Sequence, residues 1–79
     1  MQIVFIETEY ITLDAALKFS AAVSTGGEAK NLIADGYVRV NGETCLQRGK
    51  KLRPGDRFEY DRQEYEIGKK RKMVLKIKE

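Results

Sequence analysis

Four cations fall within six residues at Arg48, Lys50, Lys51 and Arg53, with Gly49 between the first two. At that density lysine and arginine neutralise successive phosphates, and a glycine among them lets backbone approach a ligand closely. A solvated loop that only keeps the chain soluble has the same composition, so residue types alone leave the two readings level. Lys69, Lys70, Arg71 and Lys72 form a second basic run, read first as an exposed charge run beside a strand.

Other chemistries are poorly supplied. The chain has no histidine, so the commonest general base is missing, and no nucleophile, base and orienting group can be assembled. A single cysteine, Cys45, without histidine makes a poor metal site and cannot close an internal disulfide. It reads as a small apolar filler in a strand. Gly26-Gly27 lacks the Gly-Lys-Ser/Thr ending of a phosphate-binding P-loop. The expectation is a protein that is not an enzyme and needs neither metal nor cofactor.

Charge is unevenly distributed. Up to Asp35 two basic residues face five acidic ones, a net of −3, whereas from Gly36 onward thirteen face seven, a net of +6. Clustered charge of this kind orients a molecule against a polyanion. Seventy-nine residues make one domain, spanning residues 1–79, with a small core and no room for a large cleft. No apolar run approaches the ~20 residues that span a bilayer, and Met1 to Ile6 lacks the basic start of a signal peptide. A cytoplasmic monomer is expected.

The elements that must position these residues are marked by their start and stop signals. Thr25 and Glu28 form a capping box that opens a helix, Ala29, Leu32 and Ile33 give it one apolar stripe, and Gly36 ends it. The period then changes to two, with Val38 and Val40 facing a core and Tyr37, Arg39 and Asn41 facing away. Asn41-Gly42 predicts a type I′ hairpin with Glu43 to Leu46 as partner strand. Tyr37 is read as half-buried packing beside Gly36, with stacking on an unpaired base as the alternative. Asn41 is first a turn residue.

Upstream, Ile3 to Ile6 reads as a strand covered on both faces. Thr12 is placed as N-cap of a first helix with Leu13, Ala16 and Leu17 as its stripe, and Phe19, Ala22 and Val23 continue apolar surface toward the second helix. Downstream, Pro54-Gly55-Asp56 predicts a turn. Arg57 to Tyr60 and Gln63 to Ile67 form a hairpin about Asp61-Arg62, with Phe58, Tyr60, Tyr65 and Ile67 inward. Met73, Leu75 and Ile77 alternate in a last expected strand.

Thr25-Gly26-Gly27-Glu28-Ala29-Lys30, Leu32-Ile33, Gly36, Val38, Val40-Asn41-Gly42, Lys51-Leu52 and Gly55-Asp56 together resemble the S4 RNA-binding domain, also called the αL motif, over about residues 12–60. The resemblance implies an α+β fold, with two short packed helices on a small curved antiparallel sheet. It also implies structured RNA bound along the second helix and the adjoining basic loop. Family members often carry an arginine near the start of the second helix, where this chain has Gly26 and Gly27. Free N–H groups at a helix N-terminus can take over such a phosphate contact. The expected RNA-binding residues are therefore Gly26, Gly27, Lys30, Arg39, Arg48, Lys50, Lys51 and Arg53. By resemblance to small stand-alone members, the expected partner is ribosomal RNA or a ribosomal subunit, in assembly or association. The rival expectation is an adaptor that docks a larger translation or replication factor.

Overall fold

The computed structural model describes residues 1–20 and 22–70. In chain order they form β1 (Gln2–Ile6), β2 (Ile11–Thr12), α1 (Leu13–Phe19), α2 (Gly26–Ala34), β3 (Val38–Val40), β4 (Glu43–Thr44), β5 (Lys51–Leu52), β6 (Arg57–Tyr60) and β7 (Gln63–Lys69). The last strand expected from the sequence, around Met73 to Ile77, lies outside the described residues, as do Arg71 and Lys72.

A five-stranded sheet of order β1-β7-β6-β3-β4 carries both helices on one face, and β2 pairs with β5 in a separate two-stranded ladder. The α+β architecture is the expected one, but the sheet is mixed. β1 runs parallel to β7, with Val4 opposite Ile67, while the other pairs are antiparallel. Strands joined by tight turns must reverse, whereas β1 is separated from β7 by nearly the whole chain and has no such constraint.

Period-two alternation explains the core. Val4, Ile6, Val38, Val40, Phe58, Tyr65 and Ile67 point from the sheet onto Leu13, Ala16 and Leu17 of α1 and Ala29 and Ile33 of α2, in one cluster that Val23 and Leu52 complete. Phe58 and Tyr65 stack at 4.7 Å between centroids, nearly parallel, an arrangement their antiparallel register imposes. Two expectations are corrected here. β1 is covered on one face only, because Ile3 and Phe5 alternate away from the helices and stay exposed above Gly68. Phe19 does not extend the core toward α2, since it closes a helix of only seven residues and points outward, 65% exposed.

The turns obey their residues. Asn41 and Gly42 both take positive φ, +51° and +88°, in a two-residue hairpin between β3 and β4. β4 itself is shorter than expected: the ladder ends with one further bond, from the Cys45 N–H to the Val38 carbonyl. At the end of α2 the Gly36 N–H donates to the Ile33 carbonyl and the Tyr37 N–H to the Leu32 carbonyl, a Schellman closure. It requires Gly36 at φ +84°. Gly36→Ala is expected to cost about 1–2 kcal/mol, because a Cβ at that φ meets backbone oxygen. Urea denaturation should show an earlier midpoint at unchanged m-value.

Candidate nucleic-acid interface

The basic loop is held by its backbone, which leaves its side chains free. The Lys50 carbonyl accepts from the Leu13 N–H at 2.9 Å and the Arg48 carbonyl from the Asp14 N–H at 3.1 Å. These are the first donors of α1, which otherwise have no partner within the helix. Thr12 occupies the N-cap position as expected, but its side chain does not cap. Its hydroxyl donates instead to Asp14 Oδ1 at 2.6 Å, and the same oxygen accepts from the Ala15 N–H at 2.7 Å. The loop thus performs the capping of α1, a role no local motif in the sequence signals.

Each neighbouring cation is anchored in turn. Lys51 pairs with Thr12 across the β2–β5 ladder, and its ammonium lies 5.0 Å from the Tyr10 ring centroid. Leu52 beside it is fully buried. The Arg53 N–H donates to Asp56 Oδ2 at 2.8 Å, while Asp56 Oδ1 accepts from the Asn41 side-chain amide at 3.3 Å. Asn41 Oδ1 accepts from the Arg57 N–H at 3.0 Å. Asn41 is thereby committed to joining two turns, in agreement with its reading as a turn residue.

Arg48, Lys50, Lys51 and Arg53 are all exposed, and none forms an ion pair among the described residues; the pairs there are Arg57–Glu66 and Lys70–Glu7. The loop presents four positive charges on fixed backbone. Such a surface loses little conformational freedom when it meets phosphates, and its net charge stays positive beside the Asp14 and Asp56 carboxylates that adjoin the loop backbone.

On α2 the capping box forms with one change of partner. Thr25 Oγ1 accepts from the Glu28 N–H at 3.1 Å, but the Glu28 carboxylate accepts from the Ser24 N–H at 3.0 Å, one residue before the expected Thr25. Gly26 and Gly27 stand in the open first turn, with nothing within 4 Å of where a Cβ would be. Lys30 is exposed one turn further on.

Arg39 sits apart from Lys30. Its strand neighbours Val38 and Val40 face the helices, so Arg39 leaves the opposite face of the sheet, in register with Thr44 and Glu59. Tyr37 is not half-buried beside Gly36, being 64% exposed. The second basic run is engaged where it is described. Lys69 Nζ donates to the Glu7 and Thr8 carbonyls and Lys70 pairs with Glu7 at 3.4 Å, which fastens the end of β7 to the segment after β1.

The S4 domain family model matches residues 4–68. The chain belongs to this family. The match extends beyond the 12–60 stretch on which the resemblance rests and takes in β1 from Val4 and β7 as far as Gly68, so the centre of the parallel edge pair lies within it. The protein named "Probable ribosome maturation protein RlbA" from Bacillus subtilis (strain 168) is 41% identical over 56 residues, which cover 71% of this chain and 79% of that protein.

Proposed function

We propose that this S4 domain binds structured RNA without catalysis, gripping sugar-phosphate backbone with its basic loop, and that its target is ribosomal RNA or a ribosomal subunit. The observation that carries this reading is the loop from Arg48 to Arg53, four exposed cations without an ion pair among the described residues, on a backbone pinned to α1, β2 and Asp56. The family and the ribosome maturation name borne by a relative support the choice of partner. Gly26 and Gly27 offer first-turn N–H groups to a further phosphate, and Lys30 adds charge on the same helix. Contacts of this type position RNA by shape, since the deep major groove of an A-form helix hides its base edges.

The test is a salt titration of binding to purified ribosomal subunits and to their RNA. If ~5 phosphates are neutralised, log K falls with log salt at a slope of about −3 to −5. Binding that ignores salt would favour the adaptor reading, for which exposed Ile3, Phe5 and Phe19 supply an apolar face.

The Glu28 carboxylate shares the N-terminus of α2 with the phosphate assigned to Gly26 and Gly27. Glu28→Gln keeps an oxygen for the Ser24 N–H and removes the charge. RNA affinity is expected to rise about threefold at low salt, as for two exposed charges ~6 Å apart. Filter binding against the native chain measures it, and an unchanged affinity would remove the glycine turn from the RNA site.

A further inference from the structure

We propose that Tyr37 is a stacking platform for one unpaired nucleotide next to the helical RNA held by the basic loop, so that the domain selects a junction between paired and unpaired RNA. This rests on the RNA-binding reading and adds a specificity element to it.

Three observations carry it. The first is exposure. Tyr37 and Leu46 are 64% and 62% exposed, large side chains left in water at a distance in sequence from the exposed apolar residues Ile3, Phe5 and Phe19. The second is placement. Arg39 pairs with Thr44 and Val40 with Glu43, and the Cys45 N–H reaches the Val38 carbonyl. Tyr37 and Leu46 are the next residue on each segment beyond that last bond, and alternation from Val38 and Cys45 gives both the side of the ribbon taken by Arg39 and Thr44. A Cβ on Gly36 would lie 4.0 Å from Leu46 Cδ2 and 3.8 Å from Thr44 Cγ2, so Leu46 folds back toward the residue preceding Tyr37. The third is charge. Arg39 shares this face, while Arg48 and Lys50 come within four residues of Leu46, and none of the three has an ion-pair partner among the described residues.

An aromatic ring beside a small apolar shelf, with cations at its margin, is the surface a nucleobase and its phosphate fit. The ring takes the base face and the cations take the backbone. The platform is also set in advance. The Schellman closure fixes the Tyr37 backbone on one side through its N–H to Leu32, and β3 holds the chain on the other, so little freedom is lost when a base arrives. A protein partner with an apolar anchor is the competing occupant, but Arg39, Arg48 and Lys50 around the shelf favour a polyanion.

The experiment compares two RNAs on the full chain: a blunt hairpin, and the same hairpin with a short single-stranded overhang containing 2-aminopurine. Native protein should bind the overhang RNA more tightly and change its 2-aminopurine fluorescence. Tyr37→Ala should lower affinity for the overhang RNA about tenfold to a hundredfold, leave the blunt hairpin and the salt slope unchanged, and abolish the fluorescence change. Tyr37→Phe should keep all three, and circular dichroism should show both variants folded. Equal loss on both RNAs, or no loss on either, overturns the platform. If the native chain binds neither RNA in a salt-dependent way, the RNA-binding reading fails first and the platform falls with it. If the native chain binds both RNAs with the expected salt slope but shows no preference for the overhang, the platform alone is defeated.

Discussion

Lys50→Glu combined with Lys51→Glu is expected to weaken RNA binding about a hundredfold near 0.1 M salt and to make the salt slope shallower by about two. Each phosphate contact releases about one counterion, and at that salt each release is worth about a factor of ten. The loop's structural bonds do not pass through these side chains. Lys50 holds α1 by its carbonyl, and Lys51 holds β2 through the backbone ladder. Only the cation–π contact with Tyr10 is lost, which costs about 0.5–1 kcal/mol at an exposed site. The double variant should therefore keep its far-ultraviolet circular dichroism and most of its stability. A folded variant with native affinity would show that the loop is not the RNA site. Equal weakening by Lys18→Glu plus Arg62→Glu, at two exposed cations whose side chains make no bond among the described residues, would show that only net charge matters.

Much of this arrangement was legible in the residues, for identifiable reasons. Thr25, Gly36, Asn41-Gly42 and Asp61-Arg62 act through their own backbone or a neighbour's. Each forms its turn or cap where the residues place it, and in the two-residue hairpin Asp61 takes the positive φ that aspartate tolerates while Arg62 is held at positive φ by the hairpin geometry. Val38 and Val40, Phe58, Tyr65 and Ile67 were legible because alternation reports which face is covered. Alternation does not say whether anything covers the other face, so Ile3 and Phe5 of β1 stay exposed in a run that reads as covered on both, and an apolar stripe does not say where its helix stops, so Phe19 ends α1 facing solvent. Long-range pairing was equally silent. Nothing local announces that β1 joins β7 in parallel, or that Ile11-Thr12 pairs with Lys51-Leu52. The residues of the candidate site could be named from their types and spacing, but not their grouping. The sequence places Arg39 three residues beyond the turn that ends α2, while the pleat sends it to the far side of the sheet, between Thr44 and Glu59.

Leu52→Ala separates the position of the loop from its charge. Leu52 is fully buried between two exposed cations, Lys51 and Arg53, and its strand partner is Ile11. Truncating a buried leucine costs about 2–5 kcal/mol, of which part is the cavity left behind. A domain of this length holds only about 4–12 kcal/mol in all, at ~0.05–0.15 kcal/mol per residue. A fall in Tm of at least about 10 °C is expected by calorimetry. At a temperature where the variant stays folded, its cations are all present but their mooring in the core is loosened. RNA affinity should drop severalfold while the salt slope keeps its native value, opposite to the charge reversal, which changes the slope and spares the fold. Leu52→Met, close in volume, should restore most of both quantities. If Leu52→Ala loses stability yet binds RNA with native affinity when folded, the fixed backbone of the loop contributes nothing to recognition, and charge density alone explains the binding.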